Sequence, residues 1–429
     1  MKIAVIGAGI SGLCCAFHLR KAHDVTVFEA AIYVGGHTNT IEVMEPHGTM
    51  AVDTGFIVFN DRTYPSFTRL LDELGVASQP TDMSFSVRCD RSGIEYAGTG
   101  LNGLFAQRRN LFRPGFHRLL RDWLRFSRES GEVEAEADDR WSVGDYLDCR
   151  GYSQEFIEQY FLPMGSAVWS CPHDDFRRFP MRFIVEFYRN HGLLSVSDRP
   201  QWRVIRGGSR RYVEEIVRHL PRDIVLNCPV AGVCREADGV ELRFPRREPE
   251  RFDHVVFACH SDQALSILGE QATRAERAVL GAFRYEANEV TVHSDSSILP
   301  RCKRAWASWN YRIPRCNSEK ATVTYHMNRL QRLSSRREFC VTLNDTGGIR
   351  ADAVLLQLTY HHPVFAIGRR AAQNRHDELI GPNSTSFCGA YWGNGFHEDG
   401  VRSAEAVCAK LLPPPDACDA PAPVLARKG

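Results

Sequence analysis

The chain has 429 residues, 43% of them apolar and 24% charged, ordinary values for a globular protein with chain enough for two or three domains. Its 53 Lys and Arg stand against 52 Asp and Glu, a formal charge of +1 that carries no footprint of a nucleic-acid partner. The 14 cysteines follow no C-x-x-C or Cys/His zinc spacing, and many sit in apolar runs, as Cys14, Cys15, Cys259 and Cys388 do. Buried thiols in a reducing compartment account for them better than a disulfide framework, so no metal and a cytoplasmic setting are expected. No run approaches membrane-spanning length, and the apolar start has only Lys2 as a basic flank, so it is not read as a signal peptide.

The first predicted strand, Lys2-Ile3-Ala4-Val5-Ile6, feeds a turn, Gly7-Ala8-Gly9-Ile10-Ser11-Gly12. Apolar residues then recur at helical spacing through Leu13, Ala16, Phe17 and Leu19, and a second strand, Val25-Thr26-Val27-Phe28, ends at Glu29. Strand, G-x-G-x-x-G, helix, strand, acid is the order a dinucleotide requires. Gly7 allows the sharp turn, Gly9 lets a pyrophosphate approach the backbone, and Gly12 lets the helix pack on the sheet. The helix start offers its unpaired N–H groups to the pyrophosphate. Glu29 would accept hydrogen bonds from ribose hydroxyls, which disfavours a 2′-phosphate and hence NADP.

Val34-Gly35-Gly36-His37-Thr38 follows. With this addition the sequence resembles the FAD-dependent amine-oxidase and phytoene-desaturase-like flavoproteins, whose fingerprint adds Ala and Leu on the helix (here Ala16 and Leu19) and a Gly-Gly, basic residue and Thr after the acid. Two positions depart from it. Ala22-His23 replace a Gly before the second strand, and His37 stands for the usual Arg, making charge opposite the phosphates dependent on pH. The resemblance implies FAD, held without a covalent bond, at Gly7, Ala8, Gly9, Ser11, Gly12, Glu29, Ala30, Gly35, Gly36, His37 and Thr38. It also implies a doubly wound α/β (Rossmann-type) domain interleaved with an α+β substrate domain that carries an antiparallel sheet. The expected FAD domain comprises 1–80, 203–280 and 385–412, the substrate domain 81–202 and 281–384, and the tail 413–429 is expected to be disordered.

Thr49 to Asn60 reads as a short strand ending at Asp53, with Thr54-Gly55 as a turn. By resemblance Gly55 and Phe56 bring backbone close to the flavin ring; on the residues alone this is a hairpin turn. Tyr64 to Leu74 is an amphipathic helix and Met83 to Arg88 a strand. Helical spacing through Phe116, Leu119, Leu120, Trp123 and Leu124 is flanked by Arg118, Arg121 and Arg125. That face suits either a lipid surface, giving a peripheral membrane contact at the inner face, or a solvated charged face on a packed helix. The acidic stretch from Glu132 to Asp139 is expected as an exposed loop. Tyr152 to His191 is helical and dense in aromatics, cut by Pro163, Pro172 and Pro180, and packs a core or lines an apolar pocket.

Trp202 to Ile205 is a strand, and Ser209 is expected to cap the helix that runs to Leu220. In the resembled family the residue matching Val230 holds adenine through its backbone. Phe252 to Cys259 is a buried parallel strand, with Ser261 capping the next helix. Strands at 290–293, 305–310, 321–327, 339–343 and 354–360 are spaced as an antiparallel sheet, to which Trp306, Trp309, Tyr311 and Tyr325 give an aromatic face. Thr385 to Gly400 runs strand, Gly, aromatics, Gly, acids and helix, matching the family's second flavin segment, with Gly389, Ala390, Gly395, Phe396, His397 and Glu398 at the cofactor. The helix start would direct its positive dipole end at the flavin N1 and O2 edge. Without the resemblance the same pattern reads as capping by Glu398 and Asp399.

The resemblance implies an FAD-dependent oxidoreductase, and the expectation is that it removes hydride from a small hydrophobic substrate, fatty-acyl or isoprenoid, in a desaturase or dehydrogenase reaction, as some flavoproteins similar to this sequence do. Tyr391, Trp392, Phe396 and Trp309 are candidate pocket residues, and His397, Tyr391 and Trp392 the candidate catalytic ones. His397 equally suits simple packing at the helix start. The amine oxidases of the family usually carry a Lys near flavin N5; the matching register, Asn288-Glu289-Val290, has none. The alternatives are a flavin amine oxidase using O₂ with another base, and a non-catalytic FAD-binding protein.

Overall fold

The computed structural model describes residues 1–136, 141–194, 199–220, 224–315, 320–345, 347–364 and 368–413. The expected tail therefore lies outside the described residues, Pro413 excepted. The chain divides into two compact units, one of residues 1–36, 216–280 and 373–429, the other of residues 37–215 and 281–372.

The first unit is built on a five-stranded parallel sheet. Its strands are β1 (Lys2–Ile6), β2 (Asp24–Phe28), β3 (Ile224–Val225), β4 (His254–Phe257) and β5 (Thr385–Phe387), in the order β3-β2-β1-β4-β5. β1 is central because Ile3, Ala4 and Val5 are apolar on both faces and wholly buried. Helix α1 (Ile10–Leu19) follows β1, and α2 (His397–Leu411) follows β5. α1 is buried nearly all round, and it meets α2 where the Cys15 and Cys408 thiols lie 3.7 Å apart. The twelve described cysteines are all free thiols.

The second unit carries a seven-stranded sheet, in the order 354–364, 284–293, 340–343, 322–326, 309–313, 85–89, 95–97. It is mixed rather than wholly antiparallel, because Trp309–Ile313 runs parallel to Phe85–Cys89. The strand expected at 305–310 begins only at Trp309, since Lys303–Ala305 close a 3₁₀ turn and the Trp306 indole donates to the Pro300 carbonyl (2.7 Å). Trp306 therefore stands outside the sheet. The helix from Pro114 runs to Glu136, so the first five residues of the expected acidic loop are helical; residues 137–139 lie outside the described ones. Good helix formers at Glu132, Glu134, Ala135 and Glu136 are the physical reason. The aromatic segment is core: Phe126, Phe156, Phe161, Phe176 and Phe179 are at most 1% exposed and meet one another at ring distances of 5.0–6.0 Å.

Candidate cofactor-binding site

In the first unit, β1 ends at a turn whose glycines have separate tasks. Gly7 has φ +106°, and a Cβ there would lie 2.9 Å from the Ala258 carbonyl oxygen. At Gly12 a Cβ would run into the Gly7 carbonyl and stand 3.1 Å from the Ala258 side chain, so α1 can start here only on glycine. Gly9 has no neighbour within 4 Å on its Cβ side. It is also the N-cap of α1, with no side chain bonded to the exposed amides and no acid in the first turn. An uncapped helix start beside open backbone is a cradle for an anion. The 34–36 turn closes over it: the Gly35 amide donates to the Ala8 carbonyl (2.9 Å), and Gly36, at φ +58°, approaches the Gly9 Cα.

Glu29 ends β2 with its carboxylate fixed by two amides, Ala8 N–H (2.7 Å) and Ala31 N–H (2.8 Å), which leaves further lone pairs for hydroxyl donors. Ala30 lies between Glu29 and that second donor. Val230 is buried beside a stretch anchored by Cys228 N–H to the Glu29 carbonyl (2.8 Å) and Ala231 N–H to the Arg243 carbonyl (2.8 Å).

The second candidate segment comes to the same place from the other end of the chain. A Cβ on Gly400 would meet the Ile10 and Ser11 side chains at 2.9 Å, so the first turn of α2 abuts the first turn of α1. Asp399 caps α2 by accepting from the Phe396 amide (2.9 Å), and it leaves room only for hydrogen at Gly393. Burial pushes its carboxyl up to about 6, against amides of Phe396 and Asn394 and the charge of Arg402. Capping therefore falls to Asp399; Glu398 and His397 are buried within the first turn. A Cβ on Gly389 would strike the Tyr391 ring, which packs on Trp392 at 5.1 Å; Trp392 in turn stacks on His376 at 4.1 Å. Gln373 donates to the Tyr391 and Gly393 carbonyls and fixes the Ala390–Gly395 loop, closed by Gly395 N–H to the Ala390 carbonyl.

His37, Thr38, Gly55 and Phe56 fall in the second unit. Gly55 is required there because a Cβ would collide with the His37 carbonyl, and the Phe56 amide donates to that carbonyl (2.9 Å). Phe56 packs edge-on against Phe67, and Thr38 hydrogen-bonds Tyr212 through their hydroxyls. The His37 ring lies 4.8 Å from Tyr360 and 5.5 Å from His362. Burial, with His37 and His361 nearby, pushes His362 down to about 3 and keeps it neutral.

Sequence reasoning missed two polar nodes in this unit. In one, Asp53 is wholly buried; it accepts from the Thr40 hydroxyl and from the amide and hydroxyl of Ser209 (both 2.9 Å) through Oδ1, and from Gln331 (2.8 Å) through Oδ2. Ser209 is therefore not the helix cap; its hydroxyl serves Asp53, and Thr40 accepts from the Arg210 amide instead. Similarly the helix expected to be capped by Ser261 already includes it, and Gln263 accepts from the His260 amide. In the other node, buried Asn288 accepts from Asn344 (2.7 Å) and lies 3.1 Å from His362 Nδ1, while Lys320 donates to the adjacent Ala287 carbonyl (2.7 Å). No group of three or more potential metal ligands occurs among the described residues.

The Gly7–Gly12 cradle, with its open Gly9 face and uncapped helix, fits the pyrophosphate of FAD, and the fixed Glu29 carboxylate fits its ribose. A family model for flavin containing amine oxidoreductases matches residues 10–284. The chain belongs to this family. Membership implies a flavin of the FAD type and oxidoreductase chemistry.

Two curated relatives of this flavin amine oxidoreductase are a tryptophan 2-monooxygenase of Agrobacterium vitis, 29% identical over 205 residues, and a chloroplastic protoporphyrinogen oxidase of Oryza sativa subsp. japonica, 34% identical over 151 residues. The matches take in 40% and 27% of this chain and about a quarter of each relative's length (25% and 28%). Among solved structures, cyclohexylamine oxidase from Brevibacterium oxydans aligns over 96% of this chain and 98% of its own, with TM-score 0.68 and 16% identity. A CLA-producing fatty acid isomerase from P. acnes aligns over 95% and 98%, with TM-score 0.66 and 14% identity. At these identities the likeness establishes the fold, that of the two-domain flavin oxidoreductases.

Proposed function

We propose that this flavin amine oxidoreductase oxidises an apolar, lipid-like substrate, fatty-acyl or isoprenoid, removing hydride from it in a desaturase or dehydrogenase reaction. FAD, when bound, supplies the two-electron acceptor. The observation that carries the substrate class is Asn288. It belongs to Asn288-Glu289-Val290, the stretch matching the place where amine oxidases of the resembled family carry a lysine, and it is tied into a neutral network with Asn344 and His362. The two asparagines are not bases, and His362, its pKa pushed down to about 3 by burial, is a weak one for taking a proton from an amine through water. The Trp309 ring, packed edge-on against Tyr325 at 4.9 Å, adds apolar surface in the same unit. A fatty acid isomerase among the solved structures of the same fold supports the reading.

One observation favours amine oxidation instead. Lys320, from outside that strand, reaches the Ala287 carbonyl next to Asn288, and a cyclohexylamine oxidase shares the fold. Anaerobic mixing of the flavin-loaded enzyme with acyl lipids, isoprenoids and amines separates the two. Bleaching of the flavin absorbance by a lipid and not by amines is expected. Fast bleaching by a simple amine, abolished by Lys320→Met, would overturn the lipid reading.

A further inference from the structure

The second unit presents a surface with little use in flavin chemistry. Residues 91–121 contain six arginines and one acid, Glu95. Glu95 is buried, its two oxygens accepting from the Arg301 and Cys302 amides (3.0 and 2.8 Å), so it neutralises nothing at the surface. Arg108, Arg109 and Arg113 form no ion pair among the described residues. Their guanidiniums donate only to oxygens of Phe105 and Asn102, of Gly93, and of Ser92, respectively. By contrast two arginines of the following helix are firmly paired, Arg118 with Glu155 and Arg125 with Glu129.

Apolar side chains stand out among these arginines. Phe112 is 86% exposed, Leu101 75% and Leu111 45%. Arg108 bonds back to Asn102, which ties the Leu101 turn to the Leu111–Phe112 turn in one patch. Exposing three large apolar side chains within twelve residues gains nothing in water. A pocket of about 580 Å³ adjoins it, lined by four cations, Arg88, Arg301, Lys303 and Arg350, and one acid, Asp295; Arg88 pairs with Asp90, and Arg350 with Asp295 and Asp352. The pocket wall and the patch are joined through Glu95 and through Cys302, whose thiol donates to the Ala106 carbonyl (3.3 Å). Of the pocket's cations, Arg301 has no ion-pair partner among the described residues, and the Lys303 ammonium lies 5.5 Å over the Trp306 ring.

We propose that this face docks on an anionic phospholipid bilayer: Leu101, Leu111 and Phe112 enter the acyl boundary, Arg108, Arg109 and Arg113 lie at the phosphates, and the Arg301–Lys303 pocket takes a lipid headgroup. Uncompensated arginines around exposed apolar tips are the two signals that together hold a protein at a charged membrane surface. No helix among the described residues is long and apolar enough to cross a membrane. The inference stands apart from the substrate reading.

The test is co-flotation of the full-length protein with vesicles of phosphatidylcholine alone or with about a third phosphatidylglycerol, at low and high salt. Binding to the anionic vesicles at least about tenfold above the neutral ones, weakened by salt, is expected. A Leu101→Ser/Phe112→Ser variant should lose about tenfold or more of that binding, and Arg108→Gln/Arg109→Gln/Arg113→Gln should lose the preference for anionic lipid, both with unchanged circular dichroism. Absence of binding to anionic vesicles overturns the proposal, as does binding that neither variant reduces. So does a wild-type dimer that the Leu101→Ser/Phe112→Ser variant dissociates without vesicles being bound, which would assign the patch to a second copy. Inorganic phosphate raising the melting temperature of a protein that ignores vesicles would assign the pocket to free phosphate compounds and equally refute docking.

Discussion

Removing the charge at Asp53 gives the sharpest test of how the second unit is held together. The carboxylate is wholly buried and serves four donors from three distant segments. Burial raises its pKa from 3.8 to about 6, although the bonds from Thr40 and Ser209 and the charge of Arg210 pull the other way. The folded state thus holds this proton more tightly than the unfolded chain. Its stabilising contribution is complete below the unfolded value and is lost as pH rises through the folded one. A gap of about two units corresponds to about 3 kcal/mol in full, of which about 2 kcal/mol falls between roughly pH 4.5 and 7.5. Asp53→Asn cannot titrate, and its amide nitrogen would face the Gln331 amide nitrogen, at a cost of about 1–3 kcal/mol at every pH. In urea unfolding followed by tryptophan fluorescence, wild type should therefore outlast the variant by a margin that grows by about 2 kcal/mol on acidification across that window. Taking the difference cancels carboxylates common to both proteins. A margin that stays constant with pH, or shrinks on acidification, would refute the reasoning.

The glycine turn gives a paired prediction. Gly9→Leu meets open space in the protein and should fold normally yet lose FAD affinity by about tenfold or more, read as flavin retained per chain after gel filtration. Gly12→Val should cost fold stability as well, because its side chain has to displace the Gly7 carbonyl; equal melting temperatures for the two variants would contradict this. Elsewhere in the first unit, Arg235 and Glu276 form a buried two-bonded pair (2.7 and 3.0 Å), with Thr385 accepting from the same guanidinium. Burial raises the Glu276 pKa, but the Arg235 hydrogen bonds outweigh it and hold the carboxyl below its ordinary range. Arg235→Ala strands that carboxylate and should cost about 3–5 kcal/mol, whereas Arg235→Met/Glu276→Leu should recover much of it by thermal denaturation.

The first unit was legible because its chemistry is local. Strand, glycine turn, helix and acid lie within thirty residues, and each glycine's task follows from backbone sterics that one segment specifies. In the second unit the spacing of the strands was legible, but its polar nodes were not, because they are assembled across the chain. Asp53 reaches Ser209 over 156 positions and Gln331 over 278, and no spacing rule links such residues. Ser209 shows the consequence: a serine before a helix reads as a cap, yet a distant carboxylate takes its hydroxyl and Thr40 supplies the acceptor. Asn288 was marked by what it lacks, a lysine, while its tie to Asn344 and His362 needed the fold. The patch at 101–113 was hidden for a related reason. Periodicity drew attention to the arginines of the following helix, whereas exposure and the absence of acid partners single out those before it.

The 385–411 segment packs against the first helix of the chain, and this has a consequence for truncation. β5 supplies the edge of the parallel sheet, and α2 buries Val401, Ala404, Val407 and Cys408 at most 4% exposed. Removing residues 385–429 would uncover Cys15, which meets Cys408, and Ile10 and Ser11, which meet Gly400, all at most 8% exposed, together with the β4 edge. Each buried apolar side chain so exposed costs up to about 1.5–3 kcal/mol, so a few of them together take a large share of the 5–15 kcal/mol that an ordinary domain has in reserve, and the lost strand bonds add to it. A chain of residues 1–384 should therefore retain no flavin although its G-x-G-x-x-G turn is intact. Co-expression with residues 385–429 should restore flavin, because the missing segment returns a whole strand and a whole helix whose contacts are already shaped for it. Flavin retained by 1–384 alone would mean that the Gly7–Gly12 cradle and Glu29 suffice, and that the meeting of Gly400 with Ile10 and Ser11 is packing without a part in holding the cofactor.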